Sequence, residues 1–311
     1  MNDTRGDAPT LLILAGGRGS RYGGAKQFAP VGPSDEPLSG YALHDAAAAG
    51  IRRAVLVCPP GAAPRARSEL ALWAPPDLAL TIVEQPRPPE RTRPWGTAHA
   101  VLAGGSAVGA VPFAVANADD FYGRGAFDAV ARFFAEGADD AHALVAYRLE
   151  RTMRLTGGVS RAVCAVRDGL LVRITEMHHV EPVPGGGPAT GVEPVPGGEP
   201  AGFQGRRPDG AIESMAADTR VSMNMWAFRP PFLDGLGRLW SEFRAGAPGP
   251  GDEFALPDAV SRLLEEGLRV RVLDTDEEAF GLTAPGDLPR VRAAITERVA
   301  AGLYARDLRS G

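Results

Sequence analysis

Short apolar runs recur along the first half of the chain at near-regular intervals. Leu11–Ala15, Ala54–Cys58, Leu78–Val83 and Val111–Ala116 are too short for helices and are bounded by Gly and Pro, so they predict buried strands. The segments between them, Leu43–Ala49, Ala63–Trp73 and Thr97–Ala103, have helical length and composition. Strand and helix alternating in this way predict the α/β class, with a mostly parallel sheet flanked by helices. In such sheets ligands sit beyond the carboxyl ends of the strands.

The second half is patterned differently. Ala141–Arg148, Ser160–Val166, Leu170–Glu176 and Arg220–Phe228 read as strands without helices between them, which predicts a β-rich, antiparallel or mixed extension. Helices are expected again at Phe254–Glu266 and Pro285–Ala301. Residues 179–210 are rich in Pro and Gly, and "VEPVPGG" occurs there at Val180 and again at Val192. Two copies are too few for a solenoid, so this stretch is expected to be a mobile surface insertion that builds no core, with a lid as the functional alternative. The whole, 1–311, reads as one domain, with residues 8–140 and 141–311 as its two halves.

Composition narrows the partners. The 311 residues carry a net charge of −5, which excludes a general nucleic-acid binder and leaves any bound anion to local cations. No signal or membrane segment is visible, so no membrane partner and a cytoplasmic location are expected. Cys58 and Cys164 lie in apolar runs and read as reduced core thiols. Self-association into a homo-oligomer stays open.

The first strand runs into "LAGGRGSRYGGAKQ", Leu14 to Gln27. Glycines let backbone N–H groups approach a phosphate closely, and Arg21 and Lys26 add charge. The spacing excludes the two best-known phosphate loops. After Gly17 and Gly19 a dinucleotide fingerprint needs glycine where Tyr22 stands, and a P-loop needs Ser or Thr after Lys26 where Gln27 stands. A second strand ends in Asp119 and Asp120, two hard oxygen donors suited to Mg²⁺ on the same predicted sheet edge.

The glycine stretch resembles the signature of the sugar-1-phosphate nucleotidyltransferases. That resemblance implies a Rossmann-like core and an NTP bound by Leu14, Ala15, Gly16, Gly17, Gly19 and Ser20. Arg21 would neutralise the departing pyrophosphate and Lys26 would steady the phosphates. Asp119 falls where that family places its metal aspartate, with Asp120 as the second choice. Gln85, Gly96 and Thr97 resemble its base-reading element, where an amide offers both a donor and an acceptor to the base. Uridine or thymidine is favoured there, and guanosine stays open. Trp95 and His99 read as packing residues, His99 within reach of base or ribose.

On the acceptor side the resemblance implies Gly158, Glu176 and Asn224. A period of two puts Ser222 and Asn224 on one strand face, Asn224 with either a sugar hydroxyl or a protein partner. The sequence departs from the pattern twice. The lysine that follows the family's glutamate is replaced by Met177, His178 and His179, leaving His178 or Arg161 for the sugar phosphate. The late metal aspartate is missing from "AFGLTAPGDLPRV", where Thr283 is the nearest candidate and Asp274 and Asp287 are alternatives. The implied reaction is Mg²⁺-dependent transfer of a nucleoside monophosphate from an NTP to a sugar 1-phosphate. The departures keep two rivals open, transfer to another phosphate or phosphonate acceptor, and a regulatory module that binds nucleotide without turnover.

Overall fold

The computed structural model describes residues 8–16, 26–89, 91, 93–137, 140–152, 158–183 and 202–310. The first half alternates strand and helix: β1 (Thr10–Leu14), α1 (Leu38–Ala48), β2 (Arg53–Cys58), α2 (Ala63–Leu70), β3 (Ala79–Glu84), α3 (Thr97–Val108) and β4 (Phe113–Asn117). A two-residue strand β5 (Asp120–Phe121) and helix α4 (Arg124–Glu136) follow. The second half holds β6 (His142–Arg148), β7 (Val159–Arg167), β8 (Leu170–Pro182), β9 (Phe203–Arg206), β10 (Ile212–Met215) and β11 (Arg220–Phe228). The chain then forms α5 (Phe232–Ala245), α6 (Leu256–Glu265), β12 (Val270–Thr275), β13 (Phe280–Gly281) and α7 (Leu288–Ala300).

One sheet carries nearly all the strands, in the order β10-β9-β8-β12-β6-β11-β4-β1-β2-β3, with β7 joining β11 and β8. β1, β2, β3 and β4 pair in parallel, as does β12 with β6. All other pairings in this sheet among the described residues are antiparallel. The expectation of a mostly parallel sheet therefore holds for the first half alone. Helical crossovers force parallel pairing there, whereas β7, β8, β9 and β10 follow one another without helices and pair antiparallel. The α/β class and the β-rich second half stand.

Both sheet faces are covered. Leu11, Ile13, Leu56 and Ala114 meet α1 and α4 on one side, and Leu12, Val55, Val57, Phe113 and Val115 meet α3, α5 and α6 on the other. That double burial is why these strands read as continuous apolar runs. A third cluster, with Tyr41, Phe121, Phe280 and Ile295, fastens α7 beside β5 and β13. The 179–210 stretch departs from expectation at its ends. β8 runs to Pro182 and β9 starts at Phe203, and Val180 and Phe203 are buried with Met177 in the main core. Residues 184–201, including the second "VEPVPGG", lie outside the described residues.

Candidate active site at the carboxyl edge of the parallel strands

Leu14 and Asn117 are register partners at the ends of β1 and β4. Ala15 N–H donates to Val57 O (2.8 Å) and Ala118 N–H to Leu14 O (3.0 Å), so Gly16 stands just beyond the sheet at this edge. Leu14, Ala15 and Gly16 are buried. Gly17, Gly19, Ser20 and Arg21 lie outside the described residues. The chain re-enters at a single 3-10 turn, Lys26–Phe28, held down by Gln27 Nε2 donating to Ala15 O (3.3 Å). From that turn Lys26 forms an ion pair with Asp119 and donates to Leu282 O (3.0 Å).

Leu282 N–H in turn donates to Asp119 O (2.9 Å), and Gly281 pairs with Asp120 in the β13–β5 ladder. The late segment thus reaches the site by backbone. Thr283 is exposed, and its N–H donates to the Asp287 carboxylate (2.8 Å). Asp274 is exposed and held by Arg220. Among the described residues no cluster of three His, Cys, Asp or Glu side chains forms a metal cage. Asp119 and Asp120 remain the hard donors at this edge.

Asp120 sits at the end of a polar relay. Trp226 Nε1 donates to Asn224 Oδ1 (2.8 Å), Asn224 Nδ2 to Asn117 Oδ1 (2.9 Å), and Asn117 Nδ2 to Asp120 Oδ2 (2.8 Å). Burial, and then the Asp119 charge, push the Asp120 carboxyl up to about 7. A Cβ on residue 281 would stand 1.9 Å from Asp120 Oδ1, so glycine is required there. Asn224 itself corrects the period-of-two expectation. Its φ is +62° and the β11–β6 register shifts between Ser222 and Trp226, so the strand bulges and Ser222 Oγ accepts Asn224 N–H (2.9 Å). Its shown partners are protein groups.

The base-reading candidates begin at the end of β3, two strands out from β1. Gln85 is buried, its N–H bound to Cys58 O (2.8 Å). Its Nε2 donates to Gly96 O (3.1 Å) and meets His99 Nδ1 (3.0 Å). Gly96 has φ +108°, and a Cβ there would lie 2.5 Å from Phe254 O. Thr97 Oγ1 accepts Leu256 N–H (2.8 Å), so that oxygen anchors the start of α6. His99 is buried against Trp240, ring centroids 4.4 Å apart, as packing predicts, and it also orients Gln85.

The expected acceptor-side residues other than Asn224 lie on or next to the β7–β8 hairpin. Glu176 faces Ala162 across the ladder and is exposed, yet the protein around it desolvates its carboxyl and raises its pKa. Ser160 Oγ and exposed His178 Nδ1 are 3.1 Å apart. Gly158 lets the strands close, since its Cβ would lie 2.8 Å from His179 Cα. Arg161 corrects the expectation of a phosphate ligand. It is buried, and its three nitrogens bind Thr152 Oγ1 (2.9 Å), Ser160 O (2.8 Å) and Thr152 O (2.5 Å). Its charge acts on both Asp120 and Glu176 without leaving that socket.

Sequence reasoning missed Asn117, Trp226 and Leu282. The last acts through its carbonyl, which no side-chain pattern reveals. It also missed a signal in plain view, that Lys26 is the single lysine among 33 basic residues. Arginine serves wherever a solvated cation suffices, and one compact ammonium is kept at the site.

Known structures share this fold at low identity. A protein assigned as a glucose-1-phosphate thymidylyltransferase from Bacillus anthracis, solved with sucrose, superposes with a TM-score of 0.61 at 15% identity, over 93% of this chain and 95% of the other. A UDP-glucose pyrophosphorylase complexed with UDP-glucose gives 0.58 at 15%, over 94% and 99%. The inositol-1-phosphate CTP transferase from T. maritima gives 0.57 at 12%, over 93% and 97%. No curated protein sequence matches. The model of the MobA-like NTP transferase domain matches residues 11–223, more than two thirds of the chain and both of the motifs that form the site. The chain therefore belongs to the MobA-like NTP transferase domain family and is a nucleotidyltransferase.

Proposed function

We propose that this enzyme transfers a nucleoside monophosphate from an NTP to a sugar 1-phosphate, with Mg²⁺, giving a nucleotide sugar and pyrophosphate. The observation that carries this reading is Lys26, the cation at the end of the glycine segment, seated on Asp119 at the carboxyl edge of the parallel strands. Its ammonium would donate to phosphate oxygens in the same place. An acceptor phosphate oxygen attacks the α-phosphorus in line, and the bond to the pyrophosphate oxygen breaks as the new one forms. A phosphate nucleophile is already ionised at neutral pH, so no general base is needed.

Asp119 and Asp120 fit a small divalent cation. They offer two carboxylates at one strand end, and one of them is held neutral-prone by burial and by its like-charged neighbour, a cost that a bound cation relieves. Held there by Asp119 and Asp120, Mg²⁺ would supply charge neutralisation at the α-phosphate. The binding is tested by pyrophosphate release with Mg²⁺ across NTPs and phosphate acceptors. A signal dependent on one sugar 1-phosphate, lost in the double variant Arg21→Ala/Asp119→Ala, supports the reading. Wild-type rates in that variant would sink it.

One observation favours a second reading. Arg161 is committed to Thr152 and Ser160, and Met177 is buried and apolar where the resemblance expects a phosphate-binding lysine. An acceptor other than a sugar 1-phosphate, such as a polyol phosphate, accords with that. The same acceptor panel separates the two.

A further inference from the structure

The amide of Gln85 is fixed in one sense by its surroundings. Gly96 O can only accept, and it lies 3.1 Å from Gln85 Nε2, so the nitrogen faces the start of α3. The second amide hydrogen points at His99 Nδ1, 3.0 Å away. That contact requires a lone pair on Nδ1, hence a neutral His99 with its proton on Nε2. Burial, and then Arg244, push its pKa down to about 4, so the neutral form prevails at physiological pH. Oε1 is left on the opposite side, 2.6 Å from where a Cβ on Gly16 would stand. No described residue donates to it.

Resting on the transferase reading above and on the base-reading role that the resemblance implies for Gln85, we infer that His99 is a positioning residue that makes Gln85 an acceptor only, so the site takes nucleoside triphosphates whose base presents a ring N–H. Uracil and thymine carry that hydrogen on N3 and guanine carries it on N1. Cytosine N3 and adenine N1 carry lone pairs at the same place, which would face the Oε1 lone pairs, and their amino hydrogens reach Oε1 only if the base slides one position along its edge. An amide free to turn would serve either kind of base, and the lock removes that freedom before binding.

The test compares UTP, TTP, GTP, CTP and ATP by calorimetric binding and by pyrophosphate release, in wild type, His99→Asn and His99→Leu, with melting curves for each. Asn places a carboxamide oxygen near the Nδ1 position and restores the acceptor, and Leu does not. Wild type should prefer at least one ring-N–H nucleotide over CTP and ATP by about tenfold or more. His99→Asn should keep that ranking. His99→Leu should shrink it to about threefold or less, mainly through affinity or KM. Preference for CTP or ATP in the wild type overturns the inference even if His99→Leu fails to fold. So does an unchanged ranking in folded His99→Leu, an Asn variant that loses the ranking as fully as Leu, or no nucleotide binding at all. Selective binding without pyrophosphate release would sink the transferase reading and leave this one standing, and pyrophosphate release that favours CTP over every ring-N–H nucleotide would do the reverse.

Discussion

The parallel and antiparallel regions of the sheet organise polar groups by different means. In the parallel region β1, β2, β3 and β4 end on one edge, and Gly16, Gln85, Asp119 and Asp120 arrive there from separate stretches of sequence. Each is buried or half-buried, and Gln85, Asp119 and Asp120 are braced, by His99, by Lys26, and by Asn117 and the Gly281 backbone. In the antiparallel region Ser160, Glu176 and His178 are spread along the faces of the β7–β8 hairpin and are exposed. Parallel strands concentrate chemistry because all their carboxyl ends coincide, whereas an antiparallel hairpin offers alternate residues along its length. The nucleotide side should therefore be intolerant of change and the acceptor side adjustable.

The largest effects test the intolerant side. Asp119→Ala and Lys26→Ala should each lower the rate of pyrophosphate release about 10²- to 10³-fold, and Lys26→Arg should not restore it, since a planar fork replaces a compact ammonium. Single-turnover rates in folded protein check this, and losses under tenfold would break the comparison at its strongest point. Gly281→Ala comes next. Its methyl would occupy the place of Asp120 Oδ1, so stability should fall by about 1–3 kcal/mol in denaturant unfolding, with activity lost as well.

On the adjustable side, Arg161→Met should cost about 2 kcal/mol of stability by leaving Thr152 and Ser160 oxygens unpaired, while the acceptor KM of the folded fraction changes less than threefold. A rise in acceptor KM without loss of stability would return Arg161 to phosphate binding. The smallest effect lies away from both regions. Asp45 is buried against Tyr304 OH (2.8 Å) and Arg124, and burial pushes its carboxyl up to about 7. Between the unfolded carboxylate range near pH 4 and pH 7 the folded state holds a proton that the unfolded chain releases, so stability falls as pH rises. Asp45→Asn should thus be more stable than wild type at pH 8 by about 1 kcal/mol, with the gap closing towards pH 4. Melting temperatures at both pH values decide it.

Much of this was legible in the chain because the parallel region is buried on both faces. Leu11–Ala15 and Val111–Ala116 had to be apolar throughout, and Gly16 and the acids that follow them had nowhere to go but the sheet edge. α4 and α5 were missed, and the strand at Ala141–Arg148 gave no hint that β12 would return more than 120 residues later to lie beside it in parallel. The acceptor-side expectations fared unevenly for a related reason. Asn224 was read on a regular alternation, and the bulge that turns it onto Asn117 and Trp226 depends on strands from three parts of the chain.

The sequence by itself determined the class of chemistry: a glycine-dense strand exit with one lysine, paired with a strand ending in two aspartates, is a local pattern that needs no folding to be seen. Only the tertiary structure decided which atoms do what. It gave the Leu282 carbonyl to Lys26, committed Arg161 to Thr152, and set the sense of the Gln85 amide through Gly96 and His99. Hydrogen-bond partners in a buried site are chosen by the whole fold, because every polar group that loses water there must find a specific partner nearby, whatever its distance along the chain.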